Sequence, residues 1–188
     1  MTLYDGDTFT RQGLKFLVRI NPDDMGPPWE EHDGHGPVRE TYNYYGHPAK
    51  RPGERVLHSN RGNYWLYDWQ AACKLARKDG WNAQPFDAPG RIERAVQADF
   101  DRLRGWLTDQ WSWIGVEVKL LDDDGNEVAA ESLCGIESDA GDYLNEVAAE
   151  LADQIIAPRL KAWRSALADA KEHRRLMRLA EVMVGVLA

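Results

Sequence analysis

The sequence predicts an α+β fold: an antiparallel sheet of four to six strands with helices on one face and a long C-terminal helix. Two kinds of pattern indicate it. Short segments that alternate apolar and polar residues are typical of half-buried strands, and later segments with apolar residues every three or four positions are typical of helices. The 188 residues include 43% hydrophobic ones, a fraction that favours a packed core over disorder.

The N-terminal part is predicted to consist of strands and turns. Residues 14–20 alternate in hydropathy and form the first strand. Residues 21–37 hold four prolines and three glycines, so we expect a loop without regular structure there. Residues 38–45 then read as a strand, and 54–58 pairs with 64–67 as a hairpin.

Two helices and a second hairpin are predicted next. Asp68 is a favourable N-cap and Gly80 a favourable residue just past a helix end, so a helix lies between them. A second helix begins near Arg91, and its apolar residues recur every three or four positions and so lie on one face. Residues 114–136 then form a hairpin around an Asp-rich turn.

The last part of the chain is predicted to be helical in two pieces. Asp139 is expected to cap a third helix, and Pro158 to end it and to open a fourth helix that runs to the C-terminus. The predicted organisation is therefore an α+β domain over 1–157 and a helix over 158–188, packed on the same domain or on a second subunit.

Net charge and its distribution restrict the function. The chain carries a formal charge of −8, which disfavours wrapping of duplex DNA. Twelve acids and one base lie between 117 and 153, and seven bases and two acids between 158 and 178. These two segments either neutralise each other as an antiparallel helix pair, or the acidic one binds a basic partner. The predicted partner-binding residues are Asp122, Asp123, Asp124, Asp139, Asp142 and Glu146.

The densest polar motif predicts either a divalent metal site or a structural loop. Imidazole and carboxylate groups are both ligands of transition metals, and the predicted ligands are Glu31, His32, Asp33 and His35. With Glu30 added, the same motif is the centre of an alternative function, a metal-dependent, nuclease-like enzyme. The competing interpretation is a loop whose carboxylates cap backbone N–H groups while Trp29 anchors it to the core.

An aromatic segment interleaved with bases predicts either core packing or contact with single-stranded nucleic acid, whose bases stack on aromatic rings. Four bases and one acid lie between 50 and 61. The aromatic residues concerned are Tyr42, Tyr44, Tyr45, Tyr64, Trp65, Tyr67 and Trp69.

Cysteine usage and hydropathy predict a cytoplasmic protein. Cys73 and Cys134 do not form a disulfide framework, and we expect both to be buried and structural. No apolar run is long enough to span a bilayer, and the N-terminus lacks the pattern of a secretory signal.

The run DMGPPWEEHDGHGPV at residues 24–38 resembles a signature of small proteins encoded by tailed-phage and prophage genomes, a family with no established activity. Shorter matching pieces lie at 67–72, 78–81, 111–116 and 135–138, and the resemblance covers about residues 16–155. It implies an accessory protein that acts inside the infected host. The expected role is binding of a host protein or protein–nucleic acid complex, such as an antiviral nuclease or restriction complex inhibited through the acidic surface.

Self-association is predicted for the C-terminal helix. Apolar residues there fall at alternating spacings of three and four, as in a coiled-coil seam that Arg174 interrupts, at Leu160, Trp163, Leu167, Ala170 and Met177. A second apolar row follows at Leu176, Leu179, Met183 and Leu187. We expect the helix to pack on the third helix through its first half and on a second subunit through its last three turns. The alternative is a helix that bends back and buries both rows within the monomer.

Overall fold

The computed structural model describes residues 3–32, 34–81 and 89–186, with the side chains of the last helix described as far as 177. It confirms an α+β fold with antiparallel sheets and a long C-terminal helix. The described strands are β1 (Thr8–Arg11), β2 (Leu14–Pro22), β3 (Val38–Tyr42), β4 (Glu54–Asn60), β5 (Asn63–Asp68), β6 (Trp113–Leu121) and β7 (Glu127–Glu137). The described helices are α1 (Pro28–Glu31), α2 (Trp69–Asp79), α3 (Arg91–Leu107) and α4 (Tyr143–Val186).

The chain is divided into two compact units. The first unit contains Met1–Pro22, Ile114–Ile136 and Ala140–Ala188, and the second unit contains Asp23–Trp113 and Glu137–Asp139. Correspondingly, the described strands form two sheets, where the sequence predicts one. The difference arises because β2 pairs with β6 across almost the whole second unit, and pairing over such a separation leaves no local signal in the sequence.

The first unit is a four-stranded antiparallel sheet in the order β1-β2-β6-β7. Its central pair places Val18 opposite Val118, and both side chains are buried. The first part of α4 packs against this sheet through residues at helical spacing, including Leu144, Leu151 and Ile155. The alternation predicted for 14–20 and for the hairpin therefore identifies the face that α4 covers.

The second unit is a three-stranded antiparallel sheet in the order β3-β5-β4, with α2 and α3 packed into a core around Tyr67. The boundaries of α2 are those predicted. The side chain of Asp68 accepts a hydrogen bond from the backbone N–H of Ala71, and Gly80 adopts a left-handed conformation with φ of 69°.

Three predictions on local structure are wrong. Asp139 does not cap a helix, because α4 begins at Tyr143 and the Asp139 carboxylate instead accepts hydrogen bonds from Arg102.

Pro158 does not break the helix. The whole of α4, with Pro158 inside it, has 44 residues and is about 66 Å long at ~1.5 Å per residue. The carbonyl deprived of its partner by Pro158 is that of Gln154, and Gln154 is exposed, so water can solvate it.

The third correction concerns the loop 21–37, where α1 forms a single helical turn. Pro28 occupies the first turn of α1, where its missing N–H costs nothing. A related difference concerns the cysteines: Cys73 is buried as predicted, but Cys134 is exposed on β7.

Candidate functional site

The segment between β3 and β4 lies over one face of the three-stranded sheet. Side chains alternate along a strand, so Tyr64 lies on the face opposite to the buried Tyr67. The Tyr64 hydroxyl donates to the carbonyl of Gly46 at 3.0 Å, and Arg39 Nη2 donates to the carbonyl of Ala49 at 3.1 Å. Pro48 between them is buried. The segment is therefore held against the sheet at several points.

This segment presents tyrosine rings to solvent. Tyr42 is 61% exposed, Tyr44 69% and Tyr45 94%, and the rings of Tyr44 and Tyr45 meet edge to face at 4.9 Å. Exposure of three large rings on an ordered segment is unusual, because such area is normally buried or used for binding.

The β4–β5 turn brings a base to the same end of the sheet. Arg61 and Gly62 have φ of 48° and 89°, as in the two-residue turns that join antiparallel strands. Gly62 accepts a hydrogen bond from the backbone N–H of Asn43 at 2.8 Å, and a Cβ on Gly62 would lie 3.0 Å from the Tyr42 ring. Tyr44, Tyr45, Tyr64 and Arg61 together are called the tyrosine surface below. Tyr42 lies on the opposite face of β3 from Tyr64, because the partner of Tyr64 is Thr41.

The exposed charge near the tyrosine surface is positive. Between 41 and 67 the bases Lys50, Arg51, Arg55 and Arg61 are all exposed. The one acid of that segment is Glu54, whose side chain is 3% exposed and lies 2.8 Å from the Arg39 guanidinium. Hydrogen bonding from Arg39 lowers the pKa of Glu54 from its usual 4.5 to about 2, against the opposing effect of burial. Glu54 is therefore charged but compensated. On the adjoining strand β3, Glu40 is an exposed acid that accepts a hydrogen bond from the Trp65 indole, so the exposed bases outnumber the exposed acids.

The predicted aromatic set is thus divided by the fold. Tyr67 is fully buried, and Trp65 and Trp69 pack against the core of the second unit, as the core interpretation predicts. Arg55 lies over the Trp69 ring at 3.4 Å. Tyr42, Tyr44 and Tyr45 are the exposed members, and they are the ones available to a ligand.

A buried carboxylate organises the glycine-rich loop of the HDGH motif. Asp99 of α3, with its side chain 7% exposed, accepts hydrogen bonds from the backbone N–H of Gly36 at 2.8 Å and from the Tyr67 hydroxyl at 2.6 Å. Its other oxygen lies 2.6 Å from Nδ1 of His35. Burial and the neighbouring Asp99 raise the pKa of Tyr67 well above its usual value, so the phenol remains the donor.

Sequence reasoning did not identify Asp99 or Arg39. Asp99 is separated from His35 by 64 positions and occupies an ordinary polar position of an amphipathic helix. Gly36 offers the nearest signal, since a Cβ there would overlap the Tyr67 ring, and only glycine permits that approach.

The predicted metal ligands do not converge where they are described. His35 is engaged with Asp99, the His32 ring lies 5.0 Å from the Trp113 ring, and Glu31 is exposed. Within the described ranges no group of three or more His, Cys, Asp or Glu side chains is placed to hold a metal ion. Asp33 lies outside the described residues, so the metal site remains a prediction.

The alternative prediction of a loop anchored by Trp29 agrees with the packing. Trp29 is half-buried against the core of the second unit, and its ring meets that of Trp106 edge to face at 5.6 Å. The HDGH loop is thereby attached through an aromatic contact and through Asp99.

The predicted acidic partner surface is divided between structural and free carboxylates. Asp122 accepts hydrogen bonds from the backbone N–H groups of Asp124 and Asn126, which lowers its pKa, and Asp142 accepts one from the Asn145 side chain. Asp139 belongs to the second unit, where it pairs with Arg102. The exposed remainder consists of Asp123, Asp124 and Glu146.

Comparison with known proteins assigns no family: no protein-family model matches the chain, and no curated protein or solved structure is significantly similar to it. Among the described helices, none is both long and apolar enough to cross a membrane.

Proposed function

We propose that the chain is a phage-encoded accessory protein that acts by binding in the host cytoplasm, and that its tyrosine surface binds single-stranded nucleic acid. The observation that carries the proposal is the exposure of Tyr44 and Tyr45 on a segment whose bases Lys50, Arg51 and Arg61 are also exposed, while its acid, Glu54, is buried in an ion pair. Exposed rings stack unpaired bases, and positive charge attracts the phosphates that link them.

Rigid display of the rings supports stacking. The hydrogen bonds from Tyr64 to Gly46 and from Asn43 to Gly62 fix both sides of the segment, so little conformational freedom is lost when a base stacks. Duplex ends and grooves offer no comparable access to base faces, so we expect single strands to be preferred over duplexes.

The charge pattern distinguishes nucleic acid from a protein ligand. A protein interface rich in tyrosine works with either sign of charge at its rim, whereas a phosphate backbone requires positive charge. Lys50, Arg51 and Arg61 provide it along the segment and the adjoining turn. A chain with formal charge −8 thus presents a local surface of the opposite sign.

Fluorescence anisotropy with labelled 20-mers of single-stranded DNA and RNA, and with a matched duplex, at about 50 mM salt tests the proposal. Each base that loses a stacking partner costs about 1–3 kcal/mol, so Tyr44→Ala and Tyr45→Ala should each weaken single-strand binding about 5- to 150-fold. Arg61→Ala should reduce the slope of log K against log salt by about 0.7, the value for one phosphate contact on a single strand.

Tyr4 provides the matched control, since it is 68% exposed and belongs to the first unit. Tyr4→Ala should leave the affinity unchanged. The proposal is wrong if the full chain shows no binding at micromolar concentration, if the duplex binds equally well, or if the Tyr4 and Tyr45 variants behave alike. A protein ligand that competes for the tyrosine surface while nucleic acid does not bind would also exclude it.

A further inference from the structure

A small cavity opens at the C-terminal end of α3, within the second unit. Its volume is about 280 Å³, just below the ~300–1,000 Å³ of pockets for drug-sized ligands, so it suits a small headgroup. The residues that line it combine three indoles, one thioether and two carboxylates: Asp23, Met25, Trp106, Asp109, Trp111 and Trp113. None of them belongs to the tyrosine surface.

The indoles offer aromatic surface to the cavity rather than hydrogen-bond donors. Nε1 of Trp111 donates to the carbonyl of Arg102 at 2.8 Å, and Nε1 of Trp113 donates to the carbonyl of Gly26 at 3.0 Å. The two rings meet at 90° with their centroids 5.0 Å apart, and both are buried, so their positions are fixed. The Trp106 ring is half-buried and therefore more accessible. Faces of indole rings attract cations.

Negative potential reaches the cavity from two sources. The C-terminal end of α3, a helix of 17 residues, carries a partial negative charge. Asp109 adds a full charge, and within the described part of the chain no group donates to its exposed carboxylate. Arg104 in the last turn of α3 does not line the cavity.

The one guanidinium that contacts the lining is neutralised. Arg102 lies over the Trp111 ring, 3.9 Å from its centroid, and forms ion pairs with Glu137 and Asp139. This contact leaves Trp106 and Trp113 as the rings for a ligand, and it adds no uncompensated positive charge beside the cavity.

Asp109 occupies a backbone position that disfavours an acid in two ways. The end of α3 is a Schellman motif, in which the N–H of Gln110 donates to Gly105 at 2.9 Å and the N–H of Asp109 to Trp106 at 3.2 Å. The residue in this place has a left-handed conformation, with φ of 57° for Asp109, and is usually glycine. A carboxylate here also faces the negative end of the helix. Residues held at such a cost are concentrated at ligand sites.

We propose that the cavity binds a small organic cation that carries a trimethylammonium group, with its methyl groups against Trp106, Trp113 and Met25 and its charge opposite Asp109. A primary ammonium is disfavoured, because its three N–H donors need acceptors that indole rings do not supply. The site shares no residue with the tyrosine surface, and its failure would leave the nucleic-acid proposal untouched.

Isothermal titration calorimetry of the full chain with choline tests the proposal. The neutral control is 3,3-dimethylbutan-1-ol, in which a carbon atom replaces the nitrogen of choline and the shape is kept. We expect a dissociation constant for choline below about 1 mM and binding of the neutral alcohol at least tenfold weaker.

Substitutions at Asp109 separate ligand binding from stability. Asp109→Asn should weaken choline binding at least tenfold without lowering Tm, because asparagine also tolerates the left-handed conformation. Asp109→Gly should abolish binding while raising Tm by about 2–4 °C. The matched control is Asp101→Asn, since Asp101 is an exposed acid of the same helix that does not line the cavity. It should leave the affinity unchanged.

Substitutions at Trp106 test the aromatic contact. Trp106→Leu should weaken choline binding at least tenfold, whereas Trp106→Phe, which keeps a ring, should retain most of the affinity. Circular dichroism checks that each variant is folded, and the Asp109 variants decide if Trp106→Leu is not. The inference is overturned if choline binds no more tightly than the neutral alcohol, if Asp101→Asn is as impaired as Asp109→Asn, or if a folded Trp106→Leu variant keeps full affinity.

Discussion

Replacement of Tyr67 by phenylalanine tests whether the Asp99 network holds the HDGH loop. The change removes one hydroxyl and leaves the ring, which is fully buried, in its place. The lost interaction is a 2.6 Å hydrogen bond to a carboxylate that is itself almost fully buried. Hydrogen bonds to charged groups contribute about 1.5–3 kcal/mol, and for a chain of this size each kcal/mol lowers Tm by roughly 2–4 °C. We therefore expect Tm of the chain to fall by roughly 3–12 °C.

Tryptophan fluorescence is the suitable measurement, because seven of the eight tryptophans belong to the second unit. Tyr64→Phe on the same strand is the control, since its hydroxyl bonds an exposed carbonyl and its loss should cost well under ~1.5 kcal/mol. In an Asp99→Asn background, Tyr67→Phe should lower Tm by less than it does in the unsubstituted protein, because the Tyr67 hydroxyl and the Asp99 carboxylate interact directly. Equal shifts for Tyr64→Phe and Tyr67→Phe, or full additivity with Asp99→Asn, would refute the network.

Three more outcomes are expected. Because the pKa of Glu54 is lowered, the contribution of its carboxylate to stability is complete above pH 4.5 and is lost as pH falls towards 2. In denaturant titrations, Glu54→Gln should therefore lower the free energy of unfolding at pH 7. The difference from the unsubstituted protein should disappear near pH 2. Trp29→Ala should lower the free energy of unfolding by about 2 kcal/mol, less than the ~3–5 kcal/mol expected for a fully buried indole. The control Trp163→Ala, on the exposed part of α4, should leave the free energy of unfolding unchanged. A thermal scan in which Trp163→Ala lowers Tm more than Trp29→Ala does would contradict the anchoring role of Trp29. If a host factor with a basic surface binds the acidic turn at residues 122–126, the amount captured from host lysate should fall steeply with salt. Capture should fail with the double variant Asp123→Lys plus Asp124→Lys. A complex that persists in this variant would contradict the acidic-surface hypothesis.

Local signals predicted local structure well. The ends of α2 follow from Asp68 and Gly80, each of which acts on its own backbone neighbourhood. The β4–β5 and β6–β7 hairpins likewise follow from alternation around a turn. The pairing of β2 with β6 and the approach of Asp99 to the HDGH loop join distant parts of the chain, and no pattern of spacing records them. Pro158 misled because a proline removes a single hydrogen bond from the helix, and α4 continues through it.

The alternation of residues along the chain did not predict which tyrosines are exposed. Tyr42, Tyr44 and Tyr45 have the same residue type as the buried Tyr67, and the sequence therefore left core packing and ligand contact as alternatives. The distinction depends on the segment after β3 leaving the sheet and folding over it, held by Tyr64 and Arg39.

The interrupted first unit has a consequence for the order of folding. Its neighbouring strands β2 and β6 meet at Pro22 and Ile114, and the chain between these residues is the bulk of the second unit. Closing so long a loop in a disordered chain carries a large entropic cost. A folded second unit removes this cost, because the two ends of the unit are already joined by a 3.1 Å backbone hydrogen bond from Asp23 to Trp113. Early folding of the second unit would thus deliver β2 and β6 side by side, and substitutions in its core should slow the appearance of the four-stranded sheet even where they touch none of its strands.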